Sequence, residues 1–282
     1  MLNISKISFP GLGIGEFEVD SVAFTVFGVD IAWYALIITV GMIAAVVYTM
    51  FRAKQVGISS DDILDFALFM IPIGVIGARL YYVFSSIENF NSLKDVFDIR
   101  SGGLAIYGGI IAGGITAFCV AIVKKIPFLV IADCCTPGII LAQAIGRWGN
   151  FMNGEAFGYE TDLFIRMGLN NSLTYFDTLY VHPTFLYESL WNIIGFILIN
   201  LFYKKRHYDG QIFLMVFGWY GLGRMLIEGL RADSLYMQIF GLSFRVSQVL
   251  AGAILIIASG LLIYFFIKRP QAKKFNKSEN RG

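Results

Sequence analysis

Charged residues are scarce in this sequence, and histidine and cysteine are scarcer still. Asp, Glu, Lys and Arg make up 15% of its 282 residues, whereas a soluble protein carries about a quarter. The two histidines, His182 and His207, lie at opposite ends of one apolar run, so they cannot share a metal ion. The three cysteines lie inside apolar runs, where cysteine acts as a small hydrophobic residue. The sequence therefore predicts no metal site, no catalytic thiol and no cofactor.

Long apolar runs take up most of the chain. Hydrophobic residues make up 57% of the sequence, and the mean hydropathy is +0.68. A helix that crosses a bilayer needs about 20 apolar residues. The runs near that length are Ile31–Phe51, Ile63–Phe84, Leu104–Val123, Pro127–Trp148, Thr184–Tyr203, Gln211–Ile227 and Val246–Ile267. We therefore predict an all-α polytopic membrane protein with about seven transmembrane helices.

The distribution of Lys and Arg predicts the orientation in the membrane. With the N-terminus outside, the inner segments carry thirteen of these residues and the outer segments six. Because basic loops stay on the cytoplasmic side, we predict an outside N-terminus and a cytoplasmic C-terminus. Residues 1–268 then form one integral-membrane domain, and residues 269–282 form a basic cytoplasmic tail. Residues 14–30 are expected to form a short hairpin or a surface-lying segment, and residues 150–182 a small outer head.

Polar residues are concentrated at the outer ends of the predicted helices. Arg79, Arg147 and Arg224 lie near the ends of runs two, four and six, which travel outward. The residues near the outer starts of runs one, three and five are Tyr34, Tyr107, Tyr187 and Glu188. Arginines that reach to the headgroups would account for one or two of these positions, but not for carboxylates beside them. Ionisable residues within a membrane usually mark a functional site.

Two segments carry most of this polarity. Gly146–Gly158 reads GRWGNFMNGEAFG and places Arg147, Asn150, Asn153 and Glu155 where a helix should meet the headgroups. In run six, Tyr220, Arg224 and Glu228 are spaced four residues apart, so they lie on one helix face, and Arg231 continues close to it. An internal Arg224–Glu228 pair that only tightens the bundle is the alternative.

These segments resemble the family of bacterial prolipoprotein diacylglyceryl transferases. Gly146–Gly158 is similar to that family's signature G-R-x-G-N-F-x-N-G-E, and HPTFLYE at His182–Glu188 resembles its H-P-x-x-L-Y-E motif. Smaller matches follow in the family's order. They are WY at Trp33–Tyr34, GARLYYV at Gly77–Val83, GGLAIYGG at Gly102–Gly109, YGLGRMLIE at Tyr220–Glu228 and SQ at Ser247–Gln248.

The resemblance implies a reaction and a location. These enzymes move the diacylglyceryl group of phosphatidylglycerol onto the lipobox cysteine of a preprolipoprotein, and glycerol phosphate leaves. It implies a multi-pass protein of the bacterial cytoplasmic membrane with its active site facing the outer leaflet. The partners would be phosphatidylglycerol and signal-peptide-bearing preprolipoproteins, with no nucleic acid among them.

The resemblance also assigns roles to residues. Arg147 would bind the lipid headgroup and Arg224 would assist at the reacting phosphate, because a guanidinium can bind two phosphate oxygens at once. Asn150, Glu155, Tyr34, Tyr220 and Glu228 would orient the substrate and the arginines, and Gly158 would permit a turn. Further substrate contacts are expected from Asn153, Arg79, His182, Tyr187 and Glu188.

One departure from the family leaves the general base open. Where the family often has a histidine, this sequence has Tyr107, and an unperturbed tyrosine with a pKa near ~10 is a poor base. One alternative is that a buried carboxylate, Glu155 or Glu228, is the base. The other is that the thiol of the substrate cysteine ionises beside the arginines without a base.

Two other functions remain compatible with the polar residues. A transporter or channel for an anionic substrate also uses intramembrane arginines, but it needs polar residues on both sides of the midplane, and the inner halves carry little beyond Asp133. A different phosphatidylglycerol-consuming transferase would share the lipid site but not the acceptor.

Overall fold

Seven long apolar helices dominate the computed structural model, which describes residues 4–90, 92–98, 102–239 and 242–268. Each is long and apolar enough to cross a membrane, which confirms the predicted fold class. They are α1 (Trp33–Lys54), α2 (Ser60–Ser85), α4 (Ile106–Val123), α5 (Phe128–Asn153), α6 (Thr184–Tyr203), α7 (Gln211–Ile227) and α8 (Val246–Lys268). A short helix, α3 (Leu93–Phe97), lies between α2 and α4. The basic tail predicted for residues 269–282 lies outside the described residues.

In the described part of the chain, three small β-sheets accompany the helices. The strands are β1 (Ile4–Phe9), β2 (Ile14–Asp20), β3 (Val22–Val26), β4 (Val29–Ala32), β5 (Met167–Asn170), β6 (Leu179–Val181), β7 (Tyr236–Ile239) and β8 (Leu242–Arg245). Four of them form one antiparallel sheet in the order β2-β1-β5-β6, and β3-β4 and β7-β8 form separate hairpins. The hairpin expected within residues 14–30 is therefore β3-β4, while β2 pairs with β1, which precedes that stretch.

The described chain forms two compact units. Residues 4–47 and 135–268 form the first, and residues 48–134 form the second. In the first unit, the core of the four-stranded sheet contains fully buried Ile7 and Leu169 together with Val181, and Phe185 of α6 packs in the same cluster. The sheet thus packs against the start of a membrane helix.

The second unit is built on a close contact between α2 and α4. A side chain at Gly77 would collide with Ala112 and the Gly108 backbone, and one at Gly108 would collide with Tyr81. Among the described residues, no atom of another element lies within 4 Å of a Cβ added at Gly113. Close packing therefore depends on Gly77 and Gly108, because small residues let two helix backbones approach.

An ion-pair cluster joins the other ends of these two helices. Lys124, which follows α4, forms salt bridges with Asp62 and Asp65 of α2. Hydrogen bonds to Asp65 and then Asp62 raise the pKa of the Lys124 ammonium. The lysine therefore stays charged where α4 ends.

Candidate functional site

The end of α5 turns the chain back toward the helix. Gly154 has a left-handed backbone with φ of 61°. Its amide donates to the Phe151 carbonyl at 3.0 Å, and the Glu155 amide donates to the Asn150 carbonyl at 3.1 Å. This pair of bonds is a Schellman motif, in which glycine is favoured because it adopts positive φ without strain. The motif places Glu155 beside the last turn of α5.

The polar side chains at this helix end form one network. Asn150 Nδ2 donates to Glu155 Oε1 at 3.0 Å, and Asn153 Nδ2 donates to the same oxygen at 3.2 Å. Asn150 in turn accepts from Arg147 Nη1 at 3.4 Å. The amides of Asn150 and Asn153 hold the Glu155 carboxylate in place. Glu155 in turn orients the Asn150 amide that accepts from Arg147.

Glu188, near the start of α6, binds three arginines from different parts of the chain. Its Oε2 lies 2.6 Å from Arg147 Nη2. Its Oε1 lies 3.1 Å from Nη1 of both Arg224 and Arg231. The side chain is only 7% exposed, so little water competes for these charge-assisted contacts. Glu188 is the centre of a buried charge cluster.

Two of these arginines also bind a second carboxylate. Arg224 Nη2 lies 2.7 Å from Oε2 of Glu228, whose side chain is 1% exposed. Arg231 donates to both oxygens of Asp233, from Nε at 2.9 Å and from Nη2 at 2.6 Å. The three arginines therefore face three carboxylates, counting Glu188, and such pairing is what makes buried charge tolerable.

An open pocket of about 510 Å³ lies beside the cluster. Arg147 and Arg231 contribute guanidinium groups to its lining, and Glu155 and Asp233 contribute carboxylates. Phe157 and Leu173 line it with apolar surface. Two guanidinium groups at one pocket suit an anionic ligand with several oxygens, since each can donate two parallel hydrogen bonds.

Arg231 of the cluster and His182 have shifted pKa values. Burial acts to lower the pKa of the Arg231 guanidinium, but hydrogen bonds and charges from Asp233 and Glu188 outweigh it and raise that pKa. Burial lowers the pKa of the His182 imidazole, and Nδ1 of His182 lies 3.3 Å from the Tyr187 hydroxyl. At neutral pH the arginine is charged and the histidine is neutral.

Gly158 allows the close approach of three chain segments. Its amide donates to the His182 carbonyl at 3.0 Å, and it forms an isolated β-bridge with Arg231. A Cβ at this position would lie 2.6 Å from the His182 Cβ. The expectation that Gly158 permits a turn is corrected here, because the positive φ angles of this loop belong to Gly154 and Ala156.

Two tyrosines predicted for the site pack around the cluster. The ring of Tyr34, at the start of α1, lies against α5, where a Cβ at Gly149 would be 2.7 Å from it. Tyr220 lines a small cavity of about 10 Å³ together with Glu188 and Arg224. Both rings therefore lie beside helices that carry the arginines.

A pair of tryptophans fixes α6 against α7. The rings of Trp191 and Trp219 stack with centroids 4.4 Å apart and planes 20° from parallel. The Trp191 indole donates to the Trp219 carbonyl at 3.1 Å, and the Trp219 indole donates to the Trp191 carbonyl at 3.0 Å. Gly195 and Gly223 leave room for the rings. The stack sets the distance between the helices that carry Glu188 and Arg224.

Two predicted site residues, Arg79 and Tyr107, belong to the second unit. Arg79 is buried and donates to the main-chain carbonyls of Asp95, Val96, Gly102 and Gly103. These contacts tie α2 to α3 and to the two glycines that precede α4. The ring of Tyr107 lies 6.4 Å from that of Tyr81. Their roles toward a substrate stay predictions.

Sequence reasoning left several residues of the cluster out of the site. Arg231 had a signal, because it lies close to the charged face of α7, but its contact with Glu188 depends on the bend after the helix. Asp233 and the tryptophan pair had none. Arg245 also lay unassigned, and its Nη1 donates to the Glu228 carbonyl at 3.1 Å.

The chain is similar to a well-defined group of bacterial proteins. The family model described as prolipoprotein diacylglyceryl transferase matches residues 21–264. A phosphatidylglycerol–prolipoprotein diacylglyceryl transferase of Enterococcus faecalis is 40% identical over 94% of this chain and 96% of its own length. Proteins of the same name from Clostridioides difficile and Finegoldia magna are 41% and 42% identical over 92% of this chain, and over 99% and 100% of their own lengths.

Proposed function

The chain belongs to the prolipoprotein diacylglyceryl transferase family, and from this membership we propose that it transfers the diacylglyceryl group of phosphatidylglycerol to the lipobox cysteine of preprolipoproteins. It is a transferase of a bacterial membrane with seven candidate spans. We assign it to the cytoplasmic membrane, with its site toward the outer leaflet, because the Lys and Arg distribution gives that orientation.

The reaction exchanges one bond to carbon for another. The cysteine sulfur attacks the glyceryl carbon that carries the phosphate, a C–S bond forms and the C–O bond breaks. The electron pair of that bond stays on the phosphate oxygen, so glycerol phosphate leaves with added negative charge. The thiol proton must pass to a base. Fixed guanidinium groups stabilise the growing charge on the phosphate most when little water surrounds them.

Two pocket-lining arginines are the observation that carries this proposal. Arg147 and Arg231 both line the 510 Å³ pocket, and each is held by a carboxylate of the cluster. In our proposal they bind the donor phosphate. Arg224 lies between Glu188 and Glu228, so it acts by orienting those carboxylates. Phe157 and Leu173 border the same pocket with apolar surface, which suits the acyl part of the diacylglyceryl group.

Glu155 is the carboxylate that we assign as the base. It lines the pocket, and hydrogen bonds from Asn150 and Asn153 hold its Oε1 in place. Glu228 is 1% exposed and paired with Arg224, so it is poorly placed to take a proton from an incoming thiol. Geometry is the first requirement for a general base.

The proposal is tested by transfer from phosphatidylglycerol with a labelled acyl chain to a synthetic lipobox peptide. We expect label on the peptide, none on a peptide with serine in place of cysteine, and release of glycerol phosphate. Arg147→Ala should lower turnover by about 10²- to 10³-fold, as for removal of one oxyanion donor. Arg166→Ala is the matched control, since this partly exposed arginine is not a member of the cluster; it donates to the main-chain carbonyls of Asp162 and Leu163 and lies over the Tyr180 ring.

Two outcomes would contradict parts of this assignment. Full activity of Arg147→Ala would remove the arginine from the lipid site. Glycerol phosphate release without labelled peptide would indicate another acceptor. No turnover by folded protein supplied with lipid would make transport of an anionic substrate the next function to test.

A further inference from the structure

We propose, resting on the transferase function above, that Glu188 stands in for the phosphate of the donor lipid while the site is empty. Its carboxylate holds the guanidinium groups of Arg147 and Arg231 until the phosphate displaces it. Glu188 then keeps its contact with Arg224. It is a positioning residue that competes with the substrate for the same arginines.

The contacts of Glu188 are those expected of a bound phosphate. One oxygen binds Arg147 at 2.6 Å, and the other binds Arg224 and Arg231 at 3.1 Å each. Carboxylate and phosphate oxygens are both bound by the fork of a guanidinium. Three positive arginines surround the single negative charge of Glu188, which is more positive charge than its neutralisation requires. The site is therefore already shaped for an anion.

The pocket lining determines which arginines can exchange Glu188 for the lipid phosphate. Arg147 and Arg231 reach the pocket, whereas Arg224 does not line it and holds Glu228 at 2.7 Å with its other terminal nitrogen. A phosphate in the pocket meets the first two and leaves the third with its carboxylates. The exchange replaces one anion by another, so no guanidinium is left buried and unpaired, which would be costly.

The same competition assists product release. After the C–O bond breaks, glycerol phosphate carries more negative charge than the diester and binds the arginines more strongly. A carboxylate that returns to Arg147 and Arg231 displaces it. Removal of the carboxylate charge should thus tighten binding of phosphate compounds and slow turnover together. A residue that only stabilised the fold would give weaker binding instead.

The test is Glu188→Gln, which keeps the side-chain shape but removes the charge. Binding of glycerol phosphate to the purified protein in detergent is measured without any acceptor peptide. We expect its Kd to fall about tenfold, the size of one charge-assisted hydrogen bond regained by the ligand. In the transfer assay the KM for phosphatidylglycerol should fall and kcat should fall with it.

Two control variants separate the specific exchange from general electrostatics. Asp233→Asn removes one negative charge that binds the same Arg231 and also lines the pocket, but leaves Glu188 in place. Because the Asp233 side chain is half exposed, the effect on Kd should stay under about threefold. Glu16→Gln removes a carboxylate from an exposed pair with Lys6 and should change nothing. Equal tightening by Asp233→Asn and Glu188→Gln would overturn the proposal.

A conservative variant covers the case in which Glu188→Gln does not fold. Glu188→Asp keeps the charge but is one methylene shorter, so it cannot hold all three arginines at once, and its Kd should lie between those of the parent and the glutamine variant. Weaker binding of glycerol phosphate by either folded variant would overturn the stand-in role even if the parent transfers lipid. Tighter binding without lipobox transfer by the parent would support the stand-in and reject the transferase assignment.

Discussion

At the scale of residues, the protein buries charge by sharing it. Glu188 is bound by three arginines, and Arg224 and Arg231 each meet a further carboxylate. Each partner reduces the cost of removing the others from water. The cluster is therefore compact, charged and fixed, which is what a site needs if it is to stabilise charge that develops during a reaction.

The choice of base gives a prediction at this scale. Glu155→Gln should lower transfer by about 10²- to 10⁴-fold, because proton transfer from the thiol is lost while the shape is kept. Tyr107→Phe removes only a hydroxyl and should leave turnover unchanged, because our assignment gives the thiol proton to Glu155. Both variants are compared in the lipobox-peptide assay, with expression and thermal unfolding as checks of folding. A large loss of transfer in Tyr107→Phe with little loss in Glu155→Gln would instead identify Tyr107 as the acid–base group.

At the scale of elements, helix ends and helix contacts place the side chains. The Schellman motif after α5 directs Glu155 toward Asn150 and Asn153. The Trp191–Trp219 stack holds α6 and α7 at a fixed distance. The motif positions pocket-lining Asn150 and Glu155 directly. The tryptophan stack acts from outside that lining, since a shift of one helix would separate Glu188 from Arg224.

The tryptophan stack gives a prediction about glycines of α7. A side chain at Gly223 would collide with the Trp191 indole, whereas one at Gly218 would lie 3.8 Å from Ala258, an ordinary contact. Gly223→Ala should therefore destabilise the protein by about 1–3 kcal/mol through overpacking and lower transfer. Gly218→Ala should be neutral or slightly stabilising, because alanine favours a helix. Thermal unfolding in detergent compares the two, and equal stability would show that the stack is not tightly packed.

At the scale of the whole molecule, the membrane orientation decides which partners reach the site. In our predicted topology, the four-stranded sheet lies outside the membrane and the loop after α6 lies on the cytoplasmic side, so exposed residues in these two segments test the orientation. A membrane-impermeant thiol reagent should label Glu16→Cys in protoplasts, and Lys205→Cys only after the membrane is disrupted. The parent chain measures the background from its own cysteines, of which Cys119 is exposed. Labelling of Lys205→Cys in protoplasts and of Glu16→Cys only after disruption would show that the predicted orientation is wrong and that the site faces the cytoplasm.

The sequence by itself determined the class, the helices and the family. Apolar runs of membrane length leave a chain few alternatives, because backbone groups in lipid must be satisfied within a helix. The Arg224–Glu228 spacing also predicted a pair that the structure contains, since helical periodicity fixes neighbours four residues apart. Such features depend on residues close together in the chain.

Only the tertiary structure decided what joins residues far apart. Glu188 meets arginines 41, 36 and 43 positions away in the sequence, counted from Glu188 to Arg147, Arg224 and Arg231. One of the two inner strands of the sheet, β1, comes from the first ten residues and pairs with β5, so the sheet extends beyond the stretch predicted as a head. These contacts depend on helix packing and on the bends after α5 and α7, for which a single sequence has no periodic signal.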